Sequence, residues 1–264
     1  MHRSIIAALI SVTVFAACKK GGEEGAMRKS EPIAASMPDP AGKSVTYAIE
    51  TEGKTTIDMP APKERIKAET AGAKGQLHLD LSDLTKTRGD VFVDLSTLAT
   101  HTFGNDDDKT QTHHAHTWLQ IDDTVTEASE REKNRWVHFA IRSIDGVSAP
   151  DAKSIAPVKE GGDDVRAVSF VAHGDLELHQ HSSSAPKDVP LEVRLHYPAG
   201  APADSKPTSL EIKSRAPFVI TLAEHDVKPR DSQGILAQKA FGLLGTKVAD
   251  VANVSIDLRA KPAS

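Results

Sequence analysis

Residues 189–197, VPLEVRLHY, decide the fold class of this 264-residue chain. Apolar side chains stand at every second position of the stretch, and charged or polar side chains fill most of the positions between them. Period-two alternation places successive side chains on opposite faces, which is typical of a strand with one buried and one wet face. The same alternation recurs in residues 77–81, 91–95 and 254–260. Antiparallel sheets that bury one face show this pattern.

Further strand candidates are spread evenly along the chain, with Gly-, Pro- and Asp-rich breaks between them. They are residues 45–51, 54–59, 136–144, 165–179, 209–214 and 218–222. This distribution predicts a single all-β domain, a sandwich or a barrel, rather than a βαβ protein. The segment 165–179 is long for one strand, and Gly174 marks a predicted bulge or bend in it.

Four other segments depart from the alternation. Residues 106–121 (DDDKTQTHHAHTWLQI) open with acids suited to a helix N-terminus, and residues 233–244 place apolar side chains at helical spacing. We therefore expect two short helices packed on or over the end of the barrel. Residues 145–164 and 198–207 are predicted to be exposed loops.

The N-terminus carries an export signal. Residues 1–18 read MHRSIIAALISVTVFAAC, with a basic start, an uncharged apolar run and small residues before Cys18. The end of this segment resembles a bacterial lipobox, with Phe15 at the position usually held by Leu. The resemblance implies cleavage before Cys18 and acylation of its thiol and new amino group. The alternative is an ordinary signal peptide with an accidental cysteine.

The expected organisation is a signal peptide over 1–17, a lipidated flexible tether over 18–43 and a β-barrel domain over 44–262. The tether mixes Gly, Glu, Lys and Pro and cannot bury enough apolar surface to fold. Several acyl chains on Cys18 would give stable anchoring, since a single chain is marginal. Lys19 follows in place of an Asp retention signal, so by analogy with enteric bacteria we expect the outer membrane, facing the periplasm.

Composition excludes several classes of function. The net charge is −5 and no basic stripe is present, which argues against nucleic acid as a partner. The single cysteine excludes an intrachain disulfide. The sequence contains no G-x-S-x-G, no H-E-x-x-H and no phosphate-binding loop, so we expect no enzymatic activity, no catalytic residues and no cofactor.

Three stretches together resemble the YceI-like family of exported lipid-binding barrels. The first is residues 75–100 (GQLHLDLSDLTKTRGDVFVDLSTLAT), which is similar to that family's paired strands. The second is residues 171–193 (VAHGDLELHQHSSSAPKDVPLEV), and the third is the strand over 251–260. In the second stretch the family's motif positions are matched by Gly174, Leu176, His179 and Val189. The chain departs from the family at residues 180–184 and in the longer loop over 145–164.

The resemblance implies a single antiparallel eight-stranded, lipocalin-like barrel with one or two short helices. Members of the family hold a polyisoprenoid or similar long-chain amphiphile inside, so we expect a lipid-like small molecule as partner. The expected lining consists of Tyr47, Val91, Val93, Phe139, Phe170, Leu191 and Val193. Arg230 is expected at the rim, either on an anionic headgroup or in an ion pair with Asp226 or Asp231. The alternative is a structural lipoprotein whose barrel is solid.

The chain has 12 histidines, some of them in two clusters. The candidate metal ligands, for Zn or Cu in a periplasmic metal-binding protein, are His113, His114, His116, His179 and His181. His179 and His181 would converge if both lay on one strand face. The competing interpretation is a solvated strand end and a polar helix face, so no metal is assigned. The oligomeric state stays open, with a homodimer as one option.

Overall fold

The computed structural model describes residues 44–60, 65–231, 234–235 and 249–263. Sixteen strands lie in this part of the chain. They are β1 (Ser44–Ile49), β2 (Lys54–Pro60), β3 (Arg65–Ala71), β4 (Ala73–Asp80), β5 (Arg88–Asp94), β6 (Ala99–Thr100), β7 (Trp136–Asp145), β8 (Val158–Glu160), β9 (Asp163–Leu178), β10 (His181–Ser182), β11 (Lys187–Pro198), β12 (Ser209–Ser214), β13 (Phe218–Thr221), β14 (Arg230–Asp231), β15 (Gly234–Ile235) and β16 (Val251–Pro262).

Eight of these strands form a closed ring. Its order is β1-β4-β5-β7-β9-β11-β12-β16, and antiparallel pairing of β1 with β16 closes it. The long strand β16 continues beyond β1 and β12, and there it pairs with β2 and β13. The closed, antiparallel eight-stranded barrel confirms the predicted all-β, lipocalin-like fold class. It is also the fold that the resemblance to the YceI-like family implies.

The chain leaves the strand conformation briefly between β1 and β2 and again between β3 and β4, yet backbone hydrogen bonds continue across these points. The backbone N–H of Gly72 donates to the Gly53 carbonyl over 3.2 Å, and the Gly72 carbonyl accepts from Asp94 N–H over 3.0 Å. Gly72 has a φ of 102°, which only glycine adopts without strain. The barrel can therefore bend at mid-height without leaving backbone groups unpaired.

Strand β9 is a single strand of 16 residues, although the segment is long for one strand. The irregularity expected at Gly174 lies instead in its partner β7, where the register shifts between Ile141 and Ser143. A Cβ on Gly174 would lie 2.4 Å from the Ala140 carbonyl oxygen and 2.7 Å from Cζ of Phe139. Glycine at this position thus allows the Phe139 ring and the β7 backbone to approach β9 closely.

One half of the barrel is filled by tightly buried side chains, and we call it the solid half. Its core side chains are all at most 1% exposed: Tyr47, Leu79, Leu84, Val168, Leu195, Tyr197, Leu210 and Ala260. The Tyr47 hydroxyl donates to the Pro207 carbonyl over 3.1 Å, which fixes the loop beneath this end. Close packing here leaves the other half of the barrel, where β2, β3 and β13 lie, as the place for any interior space.

Two helices connect β6 to β7. Helix α1 (Asp107–Trp118) lies within the segment predicted as helical, whereas α2 (Ala128–Asn134) was missed because its sequence, ASEREKN, has no apolar period. Strand β3 was also missed, since alanine and threonine occupy inward positions where larger apolar residues would mark a strand. No helix among the described residues is long and apolar enough to cross a membrane.

Two other predictions have mixed outcomes. The segment 145–164 is not loop throughout, because it contains a 3₁₀ turn (Ala152–Ser154) and strand β8, which pairs with β9. The helix predicted over 233–244 lies outside the described residues, apart from β15, which pairs with β14. The predicted signal peptide, the tether and Cys18 lie outside them as well.

Candidate functional site

An apolar cavity lies inside the half of the barrel that includes β2, β3 and β13. The space open to the centre of a water molecule is about 160 Å³, within an empty volume of about 1450 Å³ that includes open solvent at its mouth. One water needs about 10–15 Å³ on the first measure. The cavity is therefore large enough for a small organic group, and its walls offer water almost nothing to bond.

The lining comes from nearly every strand of the ring and from α1. Six of the seven residues that the sequence predicted for the lining are at the cavity. They are Val91, Val93, Phe139, Phe170, Leu191 and Val193. Tyr47 was expected in the lining but is not part of it, because its fully buried side chain packs in the solid half. The six residues alternate along their strands, as inward-facing positions do.

Many lining residues had not been singled out from the sequence. They include Ile57, Met59, Ile66, Ala68, Phe218, Ile220, Ala252 and Val254. Strands β2, β13 and β16 were recognised as strands, but their alternation does not reveal which stretch of each strand faces empty space. That information depends on the volumes of side chains from all the facing strands together.

Among the residues that the structure describes, the lining includes hydroxyl groups but no ionisable group. Its polar members are three threonines and the indole of Trp118; the threonines are Thr55, Thr70 and Thr100. The Thr70 hydroxyl donates to the Asp94 carbonyl, and the Thr100 hydroxyl donates to the Asp108 carbonyl over 2.8 Å. These two hydroxyls already have partners, and the open surface of the described walls is almost wholly apolar, so the cavity favours an apolar guest.

Helix α1 packs over one end of the cavity through Ala115, Trp118 and, just after the helix, Leu119. Two of the candidate histidines hold the helix to neighbouring segments of the chain. His113 Nδ1 lies 2.7 Å from the Asp122 carboxylate, and His116 Nε2 lies 2.8 Å from the Leu98 carbonyl oxygen.

The third histidine of this cluster, His114, is exposed, and its ring lies 6.2 Å from that of His113. Because His113 and His116 each hold a different partner, the three imidazoles do not converge on one point.

The second histidine cluster lies on a tight turn. His179 and Gln180 have φ values of 52° and 62° and form the two-residue turn between β9 and β10. The rings of His179 and His181 are close, 6.1 Å apart, as expected. The turn brings them together, and not the alternation of side chains along one strand. The His179 ring contacts the His225 carbonyl through Nδ1 at 3.1 Å and the Gln120 side chain through Nε2 at 2.8 Å.

Burial lowers the pKa of His179 to about 4, and burial likewise lowers the pKa of His225, which is fully buried. Both imidazoles are therefore neutral at pH 7. The proton of His179 lies on Nδ1, because a carbonyl oxygen can only accept.

Arg230 lies outside the cavity lining and pairs with Asp226. Its Nη2 is 2.5 Å from the Asp226 carboxylate, which also contacts Lys228. Burial raises the pKa of Asp226, but Lys228 and Arg230 outweigh it and hold the pKa below its usual value. Of the two roles expected for Arg230, the ion pair is the one present in the structure.

Comparisons with solved structures find similar folds, among them the two that follow. No protein-family model and no curated protein sequence matches the chain. One solved structure, a polyisoprenoid binding domain from Saccharophagus degradans implicated in plant cell wall breakdown, is 13% identical with a TM-score of 0.45, over 83% of this chain and 99% of its own. Another, Burkholderia cenocepacia BcnA, is 10% identical with a TM-score of 0.47, over 81% of this chain and 99% of its own.

Proposed function

We propose that this protein is a non-enzymatic envelope lipoprotein that binds or carries a polyisoprenoid or similar long-chain amphiphile in its barrel. The observation that carries the proposal is the apolar cavity of about 160 Å³. A solid structural barrel would lack such a space. A polar or charged guest would leave its own groups without partners there, which costs several kcal/mol for each group.

The size of the cavity sets what part of a ligand it can hold. A cavity of roughly 150 Å³ accommodates benzene, so the present space suits a segment of about six carbons. At about 0.8 kcal/mol per CH₂, that segment contributes on the order of 5 kcal/mol. This alone gives an affinity no tighter than about the millimolar range. A physiological guest must therefore extend further, into the space that opens toward solvent.

A chain-length series tests this binding. Full-length protein is titrated with straight-chain and polyprenyl alcohols of increasing length, and native mass spectrometry records the adducts. We expect affinity to rise with length and then level off. The variant Ala252→Phe places a phenyl ring in the cavity and should weaken binding at least tenfold. Its control, Ala167→Phe, adds the same ring at an exposed position of β9.

Two results would contradict ligand binding. One is the absence of any lipid adduct, native or added, in protein purified without denaturation. The other is equal binding by Ala252→Phe and Ala167→Phe, because it would place the guest outside the cavity. Circular dichroism of both variants separates a filled cavity from a misfolded barrel.

The proposed anchor is tested separately. When the full chain is exported in a bacterium fed labelled palmitate, we expect label on the protein and its recovery with the outer membrane. Cys18→Ala should lose both, while Phe15→Leu, which restores the usual lipobox residue, should keep both. Labelling that survives Cys18→Ala would overturn the lipoprotein assignment and leave the proposal about the cavity intact.

A further inference from the structure

Three side chains with metal-ligating atoms meet beside the β9–β10 turn. They are His179, on the turn, His181, at the start of β10, and Asp226, which follows a 3₁₀ turn (Leu222–His225). One ligand atom from each lies within 4.8 Å of the others. Two of them stand at sharp turns of the backbone, since His179 and Asp226 have φ values of 52° and 54°.

His179 already has the hydrogen bond that a metal-binding imidazole needs. Ligating histidines commonly donate their second N–H to a backbone carbonyl, which fixes the ring and its tautomer. Here Nδ1 donates to the His225 carbonyl, so Nε2 keeps its lone pair. The side chain of Gln120 lies 2.8 Å from that nitrogen, so an ion bound to Nε2 must displace it.

His181 has a ring nitrogen, Nδ1, that could bind a metal ion without losing a hydrogen bond. Its Nδ1 is buried and has no hydrogen-bond partner among the described residues. Its backbone is fixed, because His225 Nδ1 donates to the His181 carbonyl over 2.7 Å. A buried polar atom without a partner costs about 1–3 kcal/mol. A metal bond to Nδ1 would remove that cost.

The donor set determines the kind of metal. Two imidazoles and one carboxylate suit borderline transition ions such as Zn²⁺, Co²⁺ and Cu²⁺, rather than Ca²⁺ or Mg²⁺, which prefer oxygen. Metal–ligand bonds of about 2.0–2.2 Å require the three atoms to draw somewhat closer than they are. The described part of the chain supplies three ligands, so a fourth position remains for solvent or for another ligand.

We propose that His179, His181 and Asp226 form a binding site for one divalent transition-metal ion, with Zn²⁺ as the reference ion. Lys228 and Arg230 both hold the Asp226 carboxylate, so the ion must displace at least one of them. These cations set the strength of the site, and removing the charge of Lys228 should tighten it.

The test uses the full chain after treatment with a chelator, with the metal alone as the probe. Calorimetry with Zn²⁺ and absorption spectroscopy with Co²⁺ should show one ion per chain. His181→Ala should weaken binding at least 100-fold and Asp226→Asn at least tenfold, whereas Lys228→Met should tighten binding severalfold. His114→Ala, which removes an exposed histidine of the other cluster, is the matched control and should leave binding unchanged.

Two outcomes would overturn the site. One is the absence of stoichiometric binding by the wild-type chain. The other is binding that survives His181→Ala but is lost in His114→Ala, which would move the ion to helix α1. Because His181 is only partly buried and its Nδ1 holds no hydrogen bond, near-UV circular dichroism should show a native fold in His181→Ala.

Discussion

Gly174→Ala is the sharpest test of how the barrel wall shapes the cavity. The added methyl carbon would lie 2.4 Å from the Ala140 carbonyl oxygen and 2.7 and 2.8 Å from Cζ and Cε2 of Phe139. Carbon atoms pack at about 3.5–4.0 Å, so the two contacts with the ring are about 1 Å too short, and the contact with the oxygen is shorter still. The carbonyl belongs to the neighbouring strand and cannot move alone. The β7–β9 pairing, or the Phe139 ring, has to shift.

We expect this substitution to destabilise the fold by about 1–3 kcal/mol, the usual cost of overpacking. For a domain of 150–250 residues, each kcal/mol shifts Tm by about 2–4 °C, so the expected loss is about 2–12 °C. Urea unfolding and thermal melts followed by circular dichroism measure it on the full chain. Gly162→Ala is the control, because nothing lies within 4 Å of its Cβ position. It should be neutral or slightly stabilising.

A second substitution shows which contact matters. Phe139→Leu removes the ring but leaves the Ala140 carbonyl, so in a double-mutant cycle it should recover part of the loss caused by Gly174→Ala. Coupling of at least 0.5 kcal/mol is expected. The reasoning is refuted if Gly174→Ala unfolds within 0.5 kcal/mol of the wild type, because the close approach would then not constrain the wall.

Three further predictions concern charged and titratable groups. Asp94 accepts two hydrogen bonds from the Arg135 guanidinium, with Nη2 at 2.6 Å, and another from Ser96. Asp94→Asn should therefore lower the free energy of unfolding in urea by about 1–3 kcal/mol, and an unchanged midpoint would contradict this. With a chelator present, stability should fall as the pH drops from about 6.5 toward 4, because unfolded His179 takes up a proton that the folded ring, with its pKa of about 4, refuses. The loss should reach about 3 kcal/mol, and His179→Gln should flatten the slope of stability against pH; parallel slopes would show that other groups cause it. Arg166 is buried and donates to the carbonyls of Ala152 and Ala203, so Arg166→Met should cost about 1–3 kcal/mol and speed amide exchange in both loops, and unchanged exchange would exclude this role.

Sequence reasoning predicted the fold well where a signal was local. The alternation in residues 189–197 identified β11 and its inward face, and residues 106–121 contained α1. The same reasoning failed where the signal was weak, as in β3, or where a turn replaced a strand, as at His179. A turn with two positive φ values is usually marked by Asn or Gly, and this one contains His and Gln.

The candidate site was only partly visible in the sequence. Six inward residues of β5, β7, β9 and β11 were identified, because alternation tells which side of the wall a residue faces. Tyr47 faces inward by the same rule, yet it packs in the solid half. The alternation within one strand does not tell how far along the barrel axis a residue lies relative to the residues of other strands.

The sequence by itself determined the fold class and the face of each strong strand, since each depends on residues that are neighbours in the chain, while lipidation at Cys18 stays a prediction. Only the tertiary structure decided which half of the barrel is empty and that Asp226 comes next to His179 and His181. The physical reason is that a cavity is the difference between the space enclosed by eight strands and the volume of every side chain pointing into it. A cluster of ligands likewise depends on where distant turns meet.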